Sequence, residues 1–423
     1  MAILKFPYGR SYVALDIPRK TLLSVVESKI TPSAEDEGEE VGRAIKNPIA
    51  SPSLNNLVHK GDKIAILVSD ITRAIPDNIV APHVIKTLKE AGVTYDDMEI
   101  LIANGLHRPA SRREMEELLG KEVLEKVAVI NHRCKNDENL IDLGKTSFGT
   151  NVILNLRAVN ADFIVSTGLI EPHFFAGYSG GRKIVMPGIA GKKSVFQNHS
   201  YEMIAHPNSR YGILDGNVIY QDGVEAAKIA KLGFIVNVIV NKEHRIAKAF
   251  AGDFMKAYRA GVHFLSKFVN IPVSQRVDIV ITSNGGYPLD RNIYQTIKGM
   301  ATAELIVKKG GVIVVMAECL DGLIHKDFFD LLVSVKSSDE LLKKIRENEP
   351  LNDQWQAQFL AWILNNAEVI LMTKGVKHSY IEDMMMMPAS TPEEALELAL
   401  KMTGKEAKIA AIPEGPFIIP TLE

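Results

Sequence analysis

The sequence predicts an α/β fold of two domains, each built on a mainly parallel sheet flanked by helices, with an active site in the crevice between them. Short apolar β-branched runs alternate with longer helical patterns, as in chains that form parallel sheets. The 423 residues exceed what one ordinary core accommodates. The chemically dense segments directly follow the apolar runs, where open α/β sheets bind their ligands.

The expected strands are KIAILVSD, MEILIANG, VAVINH, ADFIVSTGLI and FIVNVIVN, then after Asn270 RVDIVITSNG, GGVIVVMAEC, AEVILMT and AKIAAIPEG. Helical patterns lie between them. DNIVAPHVIKTLKEAG has an Asp at its start and a Gly at its end, as caps prefer. SRREMEELLGKEVLEKV and TPEEALELALKMTG are further helices, and ITPSAEDEGEEVGRAIKNP begins as a polar, acidic stretch and runs into one. FVNIPVSQRVD carries Pro272 and interrupts the alternation. The division expected there gives an N-terminal domain over 1–272, a C-terminal domain over 273–410, and a tail over 411–423 that packs back on the first domain. The run DMMMMP reads as adaptable packing at a helix end.

Hydrophobic residues at 46% and charged residues at 24% are ordinary globular values. A net charge of -2 offers no attraction for nucleic acid or an anionic membrane surface. Cys134 and Cys319 stand far apart, which excludes a disulfide framework and a cysteine zinc site. The first residues show no cationic segment followed by a long apolar one, and no apolar run approaches the roughly 20 residues of a membrane span. The expectation is a cytoplasmic protein.

Four strand-end loops carry convergent polar groups. DITRAIP offers Asp70, Thr72 and Arg73, and NGLHRPAS offers His107 and Arg108. EPHFFAGYSGGRK offers His173, Arg182 and Lys183, with backbone donors at Ser179, Gly180 and Gly181 for a phosphate. NGGYPLDRNIYQTIKG offers Asp290, Tyr294, Gln295 and Lys298. Each alone has an ordinary reading: a turn and cap at Asp70, a satisfied loop histidine at 107, a packed ring at 173, glycines that permit positive φ, an exposed helix face at Tyr294 and Lys298. Their coincidence favours an active site. No G-x-G-x-x-G follows the first strand, neither G-x-x-x-x-G-K-[ST] nor H-E-x-x-H occurs, and the G-x-S-x-G of a nucleophile elbow is expected to be missing too. His107, His173 and His199 could together bind zinc, which leaves a zinc-dependent hydrolase or lyase open. A non-catalytic carboxylate-binding protein gripping its ligand with Arg73 and Lys298 is open as well.

The segments SDITRAIP, ANGLHRPAS, GLIEPHFFAGYSGGRKIVMPGIAG, QNHS, NGGYPLDRNIYQTIKG and DQWQAQ resemble, in order and over nearly the whole chain, the nickel-dependent lactate racemase family. Members of that family hold a nickel-pincer nucleotide, a pyridinium-3-thioamide-5-thiocarboxylate mononucleotide attached to a lysine. The resemblance implies that Lys183 is the covalent anchor and His199 the nickel ligand. It implies that His107 and His173 are the paired acid/base groups, and that Arg73, Tyr294, Gln295 and Lys298 meet the substrate. Asp70 and Thr72 then lie beside the cofactor, and Trp355 matches the site tryptophan, with Trp362 the other register. The implied substrate is a 2-hydroxy carboxylate, lactate by default, racemised or epimerised by hydride transfer through a planar 2-keto acid. The implied partners are the proteins that build the cofactor.

The residue types suit that chemistry. Hydride needs an acceptor that no side chain provides, so a cofactor is required. Imidazoles titrate near neutral pH and serve as bases for a hydroxyl proton. A guanidinium can grip a carboxylate at two points.

Overall fold

The run Ile64–Ser69 is buried at every position except its last, as befits a strand covered on both faces. In a computed structural model, which describes residues 2–29, 32–71 and 75–423, it lies inside a six-stranded sheet. The order is Ile246–Gly252, Leu232–Val240, Phe163–Leu169, Ile64–Ser69, Met98–Ala103, Ala128–Asn131. Neighbours run parallel, apart from Ile246–Gly252, which is antiparallel to Leu232–Val240. Counted along the chain this is a doubly wound order whose direction reverses between its first and fourth strands, Ile64–Ser69 and Phe163–Leu169. Ligands of such sheets sit at the carboxyl ends of the strands flanking that reversal.

A second six-stranded sheet is parallel throughout: Met387–Ala389, Ala367–Met372, Val307–Met316, Val277–Ser283, Ile409–Ile412, Leu22–Val25. Two compact units follow from these sheets. One contains the second sheet and comprises the chain up to Lys29, Ser200–Ile204 and Phe268–Glu423; the other holds the remaining residues up to Lys267.

This grouping differs from a division at Pro272, which placed residues 1–272 together. Leu22–Val25 is the edge strand beside Ile409–Ile412. The hairpin of Ala2–Tyr8 and Ser11–Ile17 buries Phe6, Leu15 and Ile17 in one apolar cluster with Ile281, Val314 and Met372. The tail strand Ile419–Leu422 pairs with Asn270–Val273 inside the same unit.

Local chemistry explains the helices. Thr391 caps Pro392–Thr403, its side chain accepting from the Glu394 N–H, and Gly404 ends it. The Ser111–Glu114 capping box starts Arg112–Leu119, but Gly120 at φ 80° splits the expected single helix, and Lys121–Lys126 follows as a second. Asp77 is not the cap of Asp77–Glu90: Pro76 takes that place. The Asp77 carboxyl is fully buried instead, and burial, against a smaller pull from Thr167, raises its pKa to about 7. The methionine run does sit at a helix end, with Met384 and Met386 buried after His378–Asp383. Cys134 and Cys319 are buried and unbridged. Among the described residues, no helix is long and apolar enough to cross a membrane.

Glu37–Lys46 is tied to the edge of the first sheet through Glu40. Its carboxylate accepts from Arg43 Nε at 2.8 Å and from the Ala249 N–H at 2.9 Å, with Lys248 Nζ at 3.2 Å. Burial pushes this carboxyl up, but those three partners outweigh it and hold the pKa at about 2, below the usual 4.5. A depressed carboxylate stabilises the fold above its unfolded value and loses that contribution as pH falls toward the folded one. Glu40→Gln is therefore expected to cost roughly 2–3 kcal/mol in urea unfolding at pH 7. The difference from the parent should shrink steadily between about pH 4.5 and pH 2.

Candidate active site

Asp70 ends the first strand of the doubly wound sheet and His107 follows the adjacent strand, so parallel neighbours deliver both to one sheet end. Asp70 is buried, and its Oδ2 lies 2.7 Å from His107 Nδ1. A carboxylate can only accept, so the neutral imidazole carries its proton on Nδ1 and keeps a bare Nε2. The His107 N–H donates to Asn104 O at 2.8 Å, and Asn104 Nδ2 donates back to His107 O at 3.0 Å. Gly105 N–H reaches Gly188 O at 2.9 Å, and Gly188 N–H reaches Lys183 O at 3.0 Å, so the His107 loop docks on the loop that carries Lys183. Arg108 is exposed and pairs with Glu114. Thr72 and Arg73 lie outside the described residues.

The loop after Phe163–Leu169 is wound around one buried guanidinium. Arg182 is 2% exposed. It donates to Ala176 O at 2.7 Å, Tyr178 O at 2.8 Å, Gly180 O at 3.3 Å and Tyr258 Oη at 2.8 Å. The rings of Tyr220 and Tyr258 lie 4.7 and 5.3 Å from it, so carbonyl dipoles and aromatic faces, rather than a carboxylate, solvate this charge. The loop must therefore fold back on itself, which brings His173 Nε2 to 3.2 Å from Lys183 Nζ. His173 Nδ1 accepts from the Ala176 N–H at 3.2 Å, which assigns the neutral ring's proton to Nε2, toward the lysine.

The two histidines thus present opposite faces: His107 a bare Nε2 on a half-exposed ring, His173 an Nε2–H on a buried one. Phe175 separates His173 from His199, edge-on to both at 4.5 and 5.1 Å. His199 is buried, and burial first, then the charge of Lys183, lowers its pKa to about 3. Its imidazole is neutral at pH 7.

Three expectations change. The glycines of the loop serve the protein's own packing: a Cβ on Gly180 would stand 2.9 Å from Leu169 O, and one on Gly181 would stand 2.9 Å from the Tyr258 ring. The Ser179 N–H goes to Glu171 O at 2.9 Å and the Gly181 N–H to Asn237 Oδ1 at 2.8 Å, so neither is left for a phosphate. Among the described residues, no three of His, Cys, Asp and Glu are grouped to hold a metal ion, which removes the three-histidine zinc site. Gly177–Gly181 also spells G-x-S-x-G, which corrects the expectation that this motif is missing. Its serine is buried and donates to Glu171 Oε1 at 3.3 Å, and no strand-to-helix elbow exposes it.

In the other unit, Tyr294, Gln295 and Lys298 lie on Ile293–Glu304, which Asn292 caps by accepting from the Gln295 N–H. Gln295 Oε1 is buried without a hydrogen-bond partner among the described residues. Trp355 Nε1 donates to Tyr294 Oη at 3.1 Å, whereas Trp362 packs edge-on to Phe359, so it is Trp355 that joins Tyr294. Asp290 is structural, its Oδ2 accepting from the N–H groups of Gly9 and Glu318. Sequence reasoning missed His325 and Asp353. They pair at 2.9 Å, and the His325 ring lies flat on Tyr294 at 4.0 Å. It also missed His132, a buried bracket donating from Nε2 to Ala190 O at 3.0 Å, its pKa lowered to about 4 by burial against that bond.

Comparison with known proteins follows the same residues. The family described as lactate racemase N-terminal domain matches residues 8–212, and lactate racemase C-terminal domain matches 273–419. The lactate racemase of Thermoanaerobacterium thermosaccharolyticum is 40% identical over 99% of both chains. That of Lactiplantibacillus plantarum is 36% identical over 99% of this chain and all of its own. The solved apoprotein from T. thermosaccharolyticum superimposes with a TM-score of 0.94, covering 99% of this chain and 100% of that one at 39% identity. A Thermotoga maritima structure, 18% identical with a TM-score of 0.68 and covering 92% of this chain and 100% of that one, shares the fold.

If Arg182 organises the loop, Arg182→Met should cost roughly 3–5 kcal/mol, because it strips donors from buried carbonyls. Arg182→Lys should recover less than half of that, since an ammonium cannot span the same acceptors. Urea unfolding measures both, and a parent-like midpoint for the Met variant would show that the loop does not depend on the guanidinium.

Proposed function

The chain belongs to the lactate racemase family and is an isomerase, and on that premise we propose that it inverts the α-carbon of lactate with a nickel-pincer nucleotide attached to Lys183. One observation carries the reading. The strand-reversal point of a doubly wound sheet holds two histidines, one held by a buried aspartate and the other against a lysine amine.

The residues present fit the cofactor. Metal ligation requires a deprotonated donor, and burial keeps the His199 imidazole neutral. One imidazole suffices as the protein's ligand when the nucleotide brings soft sulfur donors of its own. Lys183 offers an amine for acylation, its Nζ 3.2 Å from His173 Nε2. When bound, the nucleotide supplies the hydride acceptor that no side chain offers.

The chain's own work is proton handling and grip. His107, held by Asp70, takes the hydroxyl proton of one enantiomer at Nε2. His173, in its imidazolium form, returns a proton to the oxygen of the planar 2-keto acid, and the roles exchange for the other enantiomer. Tyr294, Gln295 and Lys298 meet the carboxylate and hydroxyl, with the unpartnered Gln295 Oε1 an acceptor for a substrate O–H. Arg73 grips the carboxylate in this reading, on the resemblance alone. Loading requires the proteins that build the nucleotide.

Hydride return and proton abstraction leave different marks. Loaded protein given 2-deuterolactate in ordinary water should racemise it with the label retained, as read by chiral chromatography and mass spectrometry. Exchange of the label with solvent would replace hydride transfer by proton abstraction at carbon. Binding of lactate with no loss of optical purity by fully loaded protein would return the non-catalytic carboxylate-binding reading.

A further inference from the structure

Asp353 precedes helix Gln354–Asn366, where an aspartate ordinarily caps by accepting a helix N–H. It makes no such bond, and its backbone is left-handed at φ 64°, a region aspartate tolerates but does not favour. Its carboxylate is spent elsewhere, 2.9 Å from His325 Nδ1. His325 in turn precedes helix Lys326–Val333, so two helix starts from separate parts of the sequence converge on this contact. The imidazole then lies against Tyr294 with centroids 4.0 Å apart and planes 9° from parallel.

Tyr294 is held at three more points. Phe328 meets its ring edge-on at 5.7 Å, and Gln356 Nε2 donates to its backbone oxygen at 2.9 Å. Trp355 Nε1 donates to Oη at 3.1 Å. An indole N–H cannot accept, so the phenol oxygen is the acceptor in that bond. One short segment, Asp353 to Gln356, therefore governs the ring, the oxygen and the backbone of Tyr294 together.

We propose that Asp353 and His325 form a positioning pair that locks the ring of Tyr294 in the orientation in which it meets the substrate. The pair acts through Tyr294 and touches no reacting atom. This rests on the reading of Tyr294 as a substrate contact, and it extends that reading to two residues to which the family resemblance assigned no role.

The test uses cofactor-loaded, full-length protein with lactate. His325→Ala should raise KM about tenfold while kcat changes by about twofold, the scale expected when a binding group loses its orientation. His325→Phe, which keeps a flat ring on Tyr294, should return KM to within about threefold of the parent. Tyr294→Phe is the reference: if it leaves KM unchanged, Tyr294 does not grip the substrate and the proposal falls with that reading. If Tyr294→Phe raises KM but His325→Ala does not, the reading stands and the positioning pair is refuted.

A second readout needs no activity. The chain has two tryptophans, so Trp362→Phe leaves Trp355 as the sole indole emitter. In that background, His325→Ala should shift the Trp355 emission, and His325→Phe should restore it. An unshifted spectrum in a folded His325→Ala protein would mean that Tyr294 keeps its place without the stack, and would overturn the proposal.

Discussion

A charged guanidinium buried without a carboxylate partner among the described residues is the constraint from which the candidate site follows. Arg182 is satisfied by three carbonyls of its own loop and the Tyr258 hydroxyl, and it is faced by two tyrosine rings. Burying such a charge costs several kcal/mol unless every donor finds a partner, so the chain from Ala176 to Lys183 has little conformational choice. Lys183, the next residue, is thereby placed beside His173 and braced to the His107 loop through Gly188. Burial pushes the Tyr258 phenol pKa up, which keeps that hydroxyl neutral and able to accept from Arg182 while donating to Tyr178 O.

The sheet supplies the other half of the arrangement. A doubly wound order opens a space at its reversal point, and the strands on either side end in Asp70 and in the loop of His173. The same order serves dinucleotide enzymes, yet this chain lacks their glycine fingerprint, and its glycines at 180 and 181 pack against the protein itself. Fold alone would therefore mislead about the ligand; in the proposed function it is His107, His173 and Lys183 that carry the chemistry.

Much of this was legible in the sequence. Buried parallel strands read as continuous apolar runs, so Ile64–Ser69 and the apolar second half of Val307–Met316 declared themselves, and the polar loops after such runs marked the candidate site. Leu22–Val25 did not, because a four-residue edge strand with alternate residues exposed resembles any loop. The helix break at Gly120 needed a backbone angle, and Asp77 looked like a cap until its burial was seen. His325 and Asp353 left no pattern, since they sit 28 positions apart and meet only when two helix starts converge. The partners of the Ser179 and Gly181 N–H groups were equally invisible, because composition shows donors but not where they point.

The most direct measurement is the intact mass of the protein produced together with a nickel-pincer biosynthesis system, followed by peptide mapping and metal analysis. An adduct confined to the Lys183 peptide, with about one nickel per chain, is the predicted result. An unmodified Lys183 without nickel, in a preparation where a known lactate racemase loads normally, would contradict the assignment of the Arg182-wound loop as the cofactor anchor.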